Sequence, residues 1–303
     1  MKSLTEFEKA IKKDKVDSVL VQRNNTVIFE YFRNNKMKEK QHKIYSVTKS
    51  ILSALIGIAI DKGYIENVNT PIINYFPEFN KDKEDQRIAI KHLLTMTSGL
   101  HWPGNSGMIP SKNWVNFVLK QDVDHPPGKE MVYSCGSSQL LSAILQKTTG
   151  LHTEDFAKKY LFTPLGITDY KWNRDAQDIA IGGFGLTMKT VDMLKFGALY
   201  VNEGRWKSKQ ILPIEWIEES TSPKVKVNDD TSYAYHWWNK QFDNQIGRIV
   251  LAVGYEGQYI ILAPEYRLVV VMTSSIKDDT SRLIDYFKDY LLPCVTDHIV
   301  NNE

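Results

Sequence analysis

Ile44-Tyr45-Ser46-Val47-Thr48-Lys49-Ser50 runs straight into Ile51-Leu52-Ser53-Ala54-Leu55-Ile56-Gly57-Ile58-Ala59-Ile60, and the rest of the chain is read outward from this stretch. The apolar run, with a basic and glycine stop at Lys62-Gly63, predicts a helix that must be buried. Residues three apart on a helix are neighbours, so Lys49 falls one turn above Ser46, and the positive end of the helix dipole faces any anion formed there. A hydroxyl with an amine beside it is the outline of an activated nucleophile. The plainer reading makes Ser46 a helix N-cap and Lys49 a first-turn surface residue. The same spacing recurs at Ser274-Ser275-Ile276-Lys277. That copy follows the strand-like run Leu268-Val269-Val270-Val271-Met272-Thr273 and leads only into Asp278-Asp279, with no apolar helix after it.

Upstream, Ser18-Val19-Leu20-Val21-Gln22 and Thr26-Val27-Ile28-Phe29-Glu30-Tyr31-Phe32 flank Arg23-Asn24-Asn25, which reads as a hairpin. Downstream, residues 64 to 221 read as short helices punctuated by Pro and Gly: Pro71 to Phe76, Ile90 to Thr95, Trp114 to Lys120, Ser137 to Thr149, Thr153 to Tyr160, Thr190 to Asn202 and Pro213 to Glu219. Strand character returns at Tyr233 to Trp238, Arg248 to Val253, Gln258 to Ala263 and Arg267 to Thr273. A helix from Thr280 to Leu292, stopped by Pro293, closes the pattern. The expected class is α/β in the α+β sense: an antiparallel sheet flanked by helices, plus an inserted all-helical lobe. Residues 1–63 and 222–303 form the sheet lobe and 64–221 the helical lobe, with a ligand cleft at the seam.

With 303 residues the chain can bury about three quarters of its unfolded surface, enough for one large domain or two packed lobes. The 38 basic and 36 acidic residues are interleaved and leave a net charge of +2, which argues against a nucleic-acid partner. Cys135 and Cys294 stand far apart, outside any zinc pattern, and the seven histidines, His42, His92, His101, His125, His152, His236 and His298, show no ligand spacing. No metal or organic cofactor is expected. The charged start Met1-Lys2-Ser3-Leu4-Thr5-Glu6 and the shortness of the apolar runs predict a cytoplasmic chain without a membrane span. Oligomeric state is not fixed by any of this.

Several segments together resemble the serine β-lactamase and penicillin-binding-protein superfamily, in the branch holding class C β-lactamases, family VIII-type esterases, D-amino-acid peptidases and 6-aminohexanoate-oligomer hydrolases. Ser46-Val47-Thr48-Lys49 is similar to its first motif, and Tyr133-Ser134-Cys135, after Pro126-Pro127-Gly128-Lys129, to its second. Ile90-Lys91-His92-Leu93-Leu94-Thr95-Met96-Thr97-Ser98-Gly99-Leu100, Pro164-Leu165-Gly166-Ile167 and Gly183-Phe184-Gly185-Leu186 follow in the family's order. The resemblance covers nearly the whole chain and implies a β-lactamase/transpeptidase-like fold. The third motif, Lys-Thr-Gly or His-x-Gly, finds only Gly254-Tyr255-Glu256-Gly257-Gln258, with Tyr255 at the basic position, Glu256 at the small one and Gly257 kept.

The resemblance implies a serine hydrolase working through an acyl-enzyme. Ser46 attacks a carbonyl, Lys49 and Tyr133 share the proton, and the backbone N–H groups of Ser46 and Gln258 form the oxyanion hole. Lysine serves as a base there only if burial and nearby cations push its pKa well below the solution value. Cys135 replaces an Asn that contacts the substrate amide, and Tyr255-Glu256 replaces the group that would hold a substrate carboxylate. Both departures point to small esters or amides rather than efficient β-lactam hydrolysis. Cys135, Tyr255, Glu256, Gly257, Trp102 and Trp237 are the expected substrate-facing residues, with Trp238 a further candidate for an apolar acyl pocket. A β-lactamase or D-Ala peptidase, and a non-catalytic binding or sensor protein, are the alternatives. A Ser-His-Asp hydrolase is disfavoured by the lack of a Gly-x-Ser-x-Gly elbow.

Overall fold

In the computed structural model, residues 3–79, 87–242 and 247–294 are described, and His298 lies outside them. Helix α1 (Leu4–Ile11) opens with a capping box in which Ser3 and Glu6 satisfy each other's backbone N–H groups, and it buries Phe7 and Ile11. The expected hairpin follows as β1 (Val16–Arg23) and β2 (Thr26–Phe32). Its turn is the pair Asn24-Asn25 with φ of 48° and 63°. Asparagine tolerates this left-handed region, and the twist of such a two-residue turn matches that of the strands.

Helix α2 (Asn35–Glu39) and β3 (Gln41–Lys43) lead into α3 (Val47–Asp61). The helical stretch then carries α4 (Ile90–Leu94), α5 (Asn105–Met108), α6 (Trp114–Leu119), α7 (Cys135–Thr149), α8 (Thr153–Ala157) and α9 (Thr163–Leu165). Strands β4 (Tyr170–Trp172) and β5 (Leu186–Lys189) pair with each other, and β5 also pairs with β3. This small sheet ties the approach to Ser46 to the segment after Gly183. Helix α10 (Thr190–Val201), the β6 (Arg205–Trp206) and β7 (Lys209–Gln210) hairpin and α11 (Ile214–Thr221) come next. The remaining strands are β8 (Val225–Lys226), β9 (Thr231–Tyr233), β10 (Trp238–Gln241), β11 (Arg248–Gly254), β12 (Gln258–Ala263) and β13 (Leu268–Ser274), before α12 (Arg282–Tyr286).

Among the described residues the main sheet has the order β2-β1-β13-β12-β11-β10-β9-β8, antiparallel throughout, so the N-terminal hairpin joins the late strands as expected. Both faces of its centre are buried. Val269 and Val271 enter one core with α3, while Leu268, Val270 and Met272 enter another with α1 and α12. That two-sided burial explains why β13 reads as an unbroken apolar run rather than an alternating one. No helix of the described residues is long and apolar enough to cross a membrane.

Three expectations need correction. Residues 190–221, assigned by sequence to the helical lobe, lie against the sheet lobe. α10 crosses β13, β12 and β1 so closely that a Cβ on Gly197 would stand 2.6 Å from Val269, and Trp216 of α11 lies on Gly57 of α3. Helical periodicity reveals a buried face but not the surface that buries it. The strand read over Tyr233 to Trp238 is broken: 234–237 form a turn in which Ala234 N donates to Trp237 O and His236 has φ of 61°. The last helix does not stop at Pro293; after α12 a wider π turn spans Phe287–Leu291, and helical turns continue to Cys294.

Candidate active site

Ser46 sits at the mouth of α3, and its local backbone differs from an ordinary cap. Tyr45 before it has φ of +47°, a left-handed conformation that β-carbons disfavour, and the Ser46 side chain makes no capping bond. Its Oγ instead accepts from Lys49 Nζ at 3.0 Å. Lys49 is 1% exposed, so the reading of a surface lysine is excluded. A buried ammonium must be compensated by acceptors. Lys49 Nζ also donates to Gly183 O at 2.7 Å and to Cys135 Sγ at 3.4 Å, and it lies 4.8 Å from the centre of the Tyr133 ring.

Each partner is delivered by a different element. Cys135 is the first residue of α7, whose start is capped by Ser134 Oγ accepting from Ser137 N at 3.2 Å. Gly183 reaches Lys49 because glycine lets the backbone press onto α7: a Cβ on Gly183 would lie 2.9 Å from Cys135 Cβ, and one on Gly182 2.2 Å from Ser138 O. Tyr133 is held on a loop by Val132 N donating to Met96 O at 2.8 Å, and its ring stacks on Trp238 at 5.9 Å and meets Tyr233 edge-on at 6.2 Å.

Burial pulls the Lys49 ammonium towards losing its proton, but the Tyr133 phenol and Cys135 thiol beside it act oppositely as anions, and the net direction is upward. The condition under which lysine would serve as a neutral base, a pKa pushed well below the solution value, is therefore not met.

The turn between β11 and β12 carries Tyr255, Glu256 and Gly257 to the same place. Gly254 abuts Ile44 O, where a Cβ would stand 2.3 Å away, and Tyr45 Oη donates to Glu256 Oε2 at 3.1 Å. The Tyr45 and Tyr255 rings meet edge-on at 5.5 Å. Gly257 has φ of +80°, and a Cβ there would strike Ser274 Oγ at 2.3 Å, so the glycine is required twice over. Gln258, the first residue of β12, is buried and donates from Nε2 to Ser274 O at 2.8 Å.

Trp102 is half-buried and covers Gly136 beside Cys135, where a Cβ would lie 2.7 Å from the indole. Trp237 is not brought to the site: it is fully buried against Phe196 and Tyr200, and its neighbour Trp238 takes the place against Tyr133.

Sequence reasoning missed His236. Its ring Nδ1 contacts Lys49 O at 3.0 Å, its N–H donates to Leu94 O at 3.0 Å, and its carbonyl accepts from Ser50 Oγ at 2.6 Å. It pins α3 to α4 beneath Ser46 and Lys49. Burial and the Lys49 charge push its pKa down to about 3. No spacing in the chain marks it, since its partners Lys49 O, Ser50 Oγ and Leu94 O lie 142 to 187 residues away in sequence. An open groove of about 1010 Å³ lies elsewhere, lined by residues such as Tyr200, Trp206, Ile217 and Arg248, and contains none of the groups around Ser46.

Comparison with known proteins gives a consistent picture. The family model described as Beta-lactamase matches residues 12–289. The 6-aminohexanoate-dimer hydrolase of Paenarthrobacter ureafaciens is 22% identical over 92% of this chain and 77% of its own length. A Bacillus anthracis structure assigned as a 6-aminohexanoate-dimer hydrolase superposes with a TM-score of 0.84, at 20% identity, over 97% of this chain and 82% of that one. EstCE1, a hydrolase with promiscuous acyltransferase activity, gives 0.80 at 17% identity over 94% of this chain and 96% of that one.

Proposed function

The chain belongs to the Beta-lactamase family and is a hydrolase of that fold, and on that premise we propose that it cleaves small esters or amides through an acyl-enzyme on Ser46. The observation that carries the reading is the buried Lys49 ammonium bonded to Ser46 Oγ at 3.0 Å, with the Tyr133 ring 4.8 Å from the same nitrogen. A structural cap has no need of this arrangement, and neither does a pure binding protein.

In the mechanism, Ser46 Oγ attacks the substrate carbonyl and its proton passes to the Tyr133 phenolate oxygen. Lys49 keeps its charge, donates to Gly183 O and Ser46 Oγ, and stabilises the anions that form. Positioned proton transfer of this kind is worth roughly 10² to 10⁴ in rate. The Ser46 and Gln258 N–H groups receive the oxyanion, and each such donor is worth about 10² to 10³. Tyr133 returns the proton to the leaving group, and water then attacks the acyl-enzyme by the reverse path.

The preference for esters and amides over β-lactams rests on Glu256 and Tyr255 at the turn where related sequences carry a basic group for a carboxylate, and on Cys135 in place of an amide side chain. The name of the Paenarthrobacter relative, 6-aminohexanoate-dimer hydrolase, supports it. The test is hydrolysis of a short-chain p-nitrophenyl ester by the wild type and Ser46→Ala, with a fluorophosphonate adduct mapped by mass. Loss of turnover and of the adduct in the variant is expected, and equal rates would overturn the proposal. Nitrocefin turnover is expected to be slow or absent; rapid turnover would refute the substrate assignment alone.

A further inference from the structure

We propose that Glu256, set between Tyr45 and Tyr255 at the rim of the Ser46 site, is a receptor for a positively charged group, so that the preferred esters or amides carry an ammonium. The proposal rests on the reading of Ser46 as the nucleophile and adds the chemistry of what is bound beside it.

The Glu256 carboxylate has an acceptor's environment, and no cation of the described residues pairs with it. Its described partner is the Tyr45 hydroxyl at 3.1 Å, and among the described residues no lysine, arginine or histidine forms an ion pair with it. Lys49 does not neutralise it, because that ammonium is buried and directed at Ser46, Gly183 and Cys135. The carboxylate is only partly exposed, whereas Tyr255 beside it is 62% exposed, so a ligand can reach both.

The turn is also built rather than loose. Glu256 is held at φ of +61°, a conformation that costs a non-glycine residue energy. It is fixed there by Ser274 Oγ donating to Glu256 O and by Gln258 Nε2 reaching Ser274 O at 2.8 Å and Glu256 O at 3.4 Å. Buried groups on β12 and β13 thus hold a carboxylate next to the residue that precedes Ser46.

Aromatic faces complete the receptor. Tyr45, whose hydroxyl donates to Glu256, and Tyr255, next to Glu256 in the chain, meet edge-on at 5.5 Å. A carboxylate among aromatic rings favours ammonium through charge and ring quadrupole together, and disfavours a substrate carboxylate. A neutral isostere gains neither term.

The experiment uses matched pairs that differ only in a quaternary nitrogen against a quaternary carbon. Acetylcholine and 3,3-dimethylbutyl acetate place the charge on the alcohol side; p-nitrophenyl 5-(trimethylammonio)pentanoate and p-nitrophenyl 6,6-dimethylheptanoate place it on the acyl side. In the wild type at least one pair should favour the cation by about tenfold in kcat/KM, and Glu256→Gln should bring that ratio towards one. No preference in either pair, or a preference that survives Glu256→Gln, overturns the assignment. If no ester is turned over, the nucleophile reading fails separately. Binding of butyltrimethylammonium, followed by tryptophan fluorescence in the wild type and in Glu256→Gln, then decides the receptor: weaker binding in the variant supports it, and equal or absent binding refutes it.

Discussion

The chain contains the same Ser-x-x-Lys spacing twice, and the two copies end in opposite circumstances. At Ser46 the helix brings the lysine back over the serine, and burial forces the ammonium to seek acceptors, of which Ser46 Oγ is one at 3.0 Å. At Ser274 the spacing straddles the end of β13. Lys277 is exposed, and Ser274 Oγ turns away to the carbonyl of Glu256. One copy bonds its lysine to its serine in a buried setting, and the other supports the Tyr255-Glu256-Gly257 turn. Spacing becomes chemistry only where a helix supplies the neighbour relation and a core supplies the desolvation.

Substitutions can break this contrast in order of size. Ser46→Ala should lower kcat by on the order of 10⁴ or more, as loss of a nucleophile does, with the fold retained by circular dichroism. Tyr133→Phe should cost about 10² to 10⁴ in kcat, read in the same ester assay. A Tyr133→Phe enzyme close to wild type would separate the phenol from the Ser46 copy and leave that copy no better founded than the other.

Acid should strike the first copy through its histidine anchor. His236 is held at a pKa of about 3, and His42 and His92 at about 4, each chiefly by burial. The unfolded chain binds these protons near pH 6.5 and the folded chain does not, so stability is full above that pH and falls as pH drops towards 4 and 3. For the fully buried His236 alone the loss is on the order of 2 kcal/mol at pH 5, to be measured as a falling Tm between pH 7 and 4. A flat Tm would mean that His236 does not carry the role assigned to it under α3.

The second copy should respond far less. Ser274→Ala removes the hydroxyl shared between Glu256 O and Gly257 O behind the turn, worth about 1 kcal/mol, and should lower kcat/KM roughly fivefold without abolishing turnover. Lys277→Ala should change stability and rate by less than about 0.5 kcal/mol, as expected of an exposed side chain. A large Lys277 effect would reverse the ranking of the two motifs.

Much of the architecture was legible because it rests on local period. The Asn24-Asn25 hairpin, the buried and mostly apolar α3 and the boundaries of β12 follow from alternation, runs and turn residues. The strand predicted over Tyr233 to Trp238 failed because its aromatic pattern is real but its backbone is diverted at His236, where bonds to Leu94 and Lys49 outweigh strand pairing. Of the two indoles expected at the acyl pocket, Trp237 packs into the core against Phe196 and Tyr200 and Trp238 stacks on Tyr133. Residues 190–221 were misplaced for a related reason: a helical stripe does not say whether a sheet or another helix will cover it.

The sequence by itself determined that a serine and a lysine share one face at the start of a buried helix, since 3.6 residues per turn leaves no other arrangement. It also determined that no basic group follows Gly254 in the β11–β12 turn. Only the tertiary structure decided what surrounds Lys49 and in which direction its pKa moves, because the phenol, the thiol and the carbonyl beside it arrive from segments 84 to 134 residues away. A pKa is set by everything within a few ångströms, and no local pattern records which distant segments those will be.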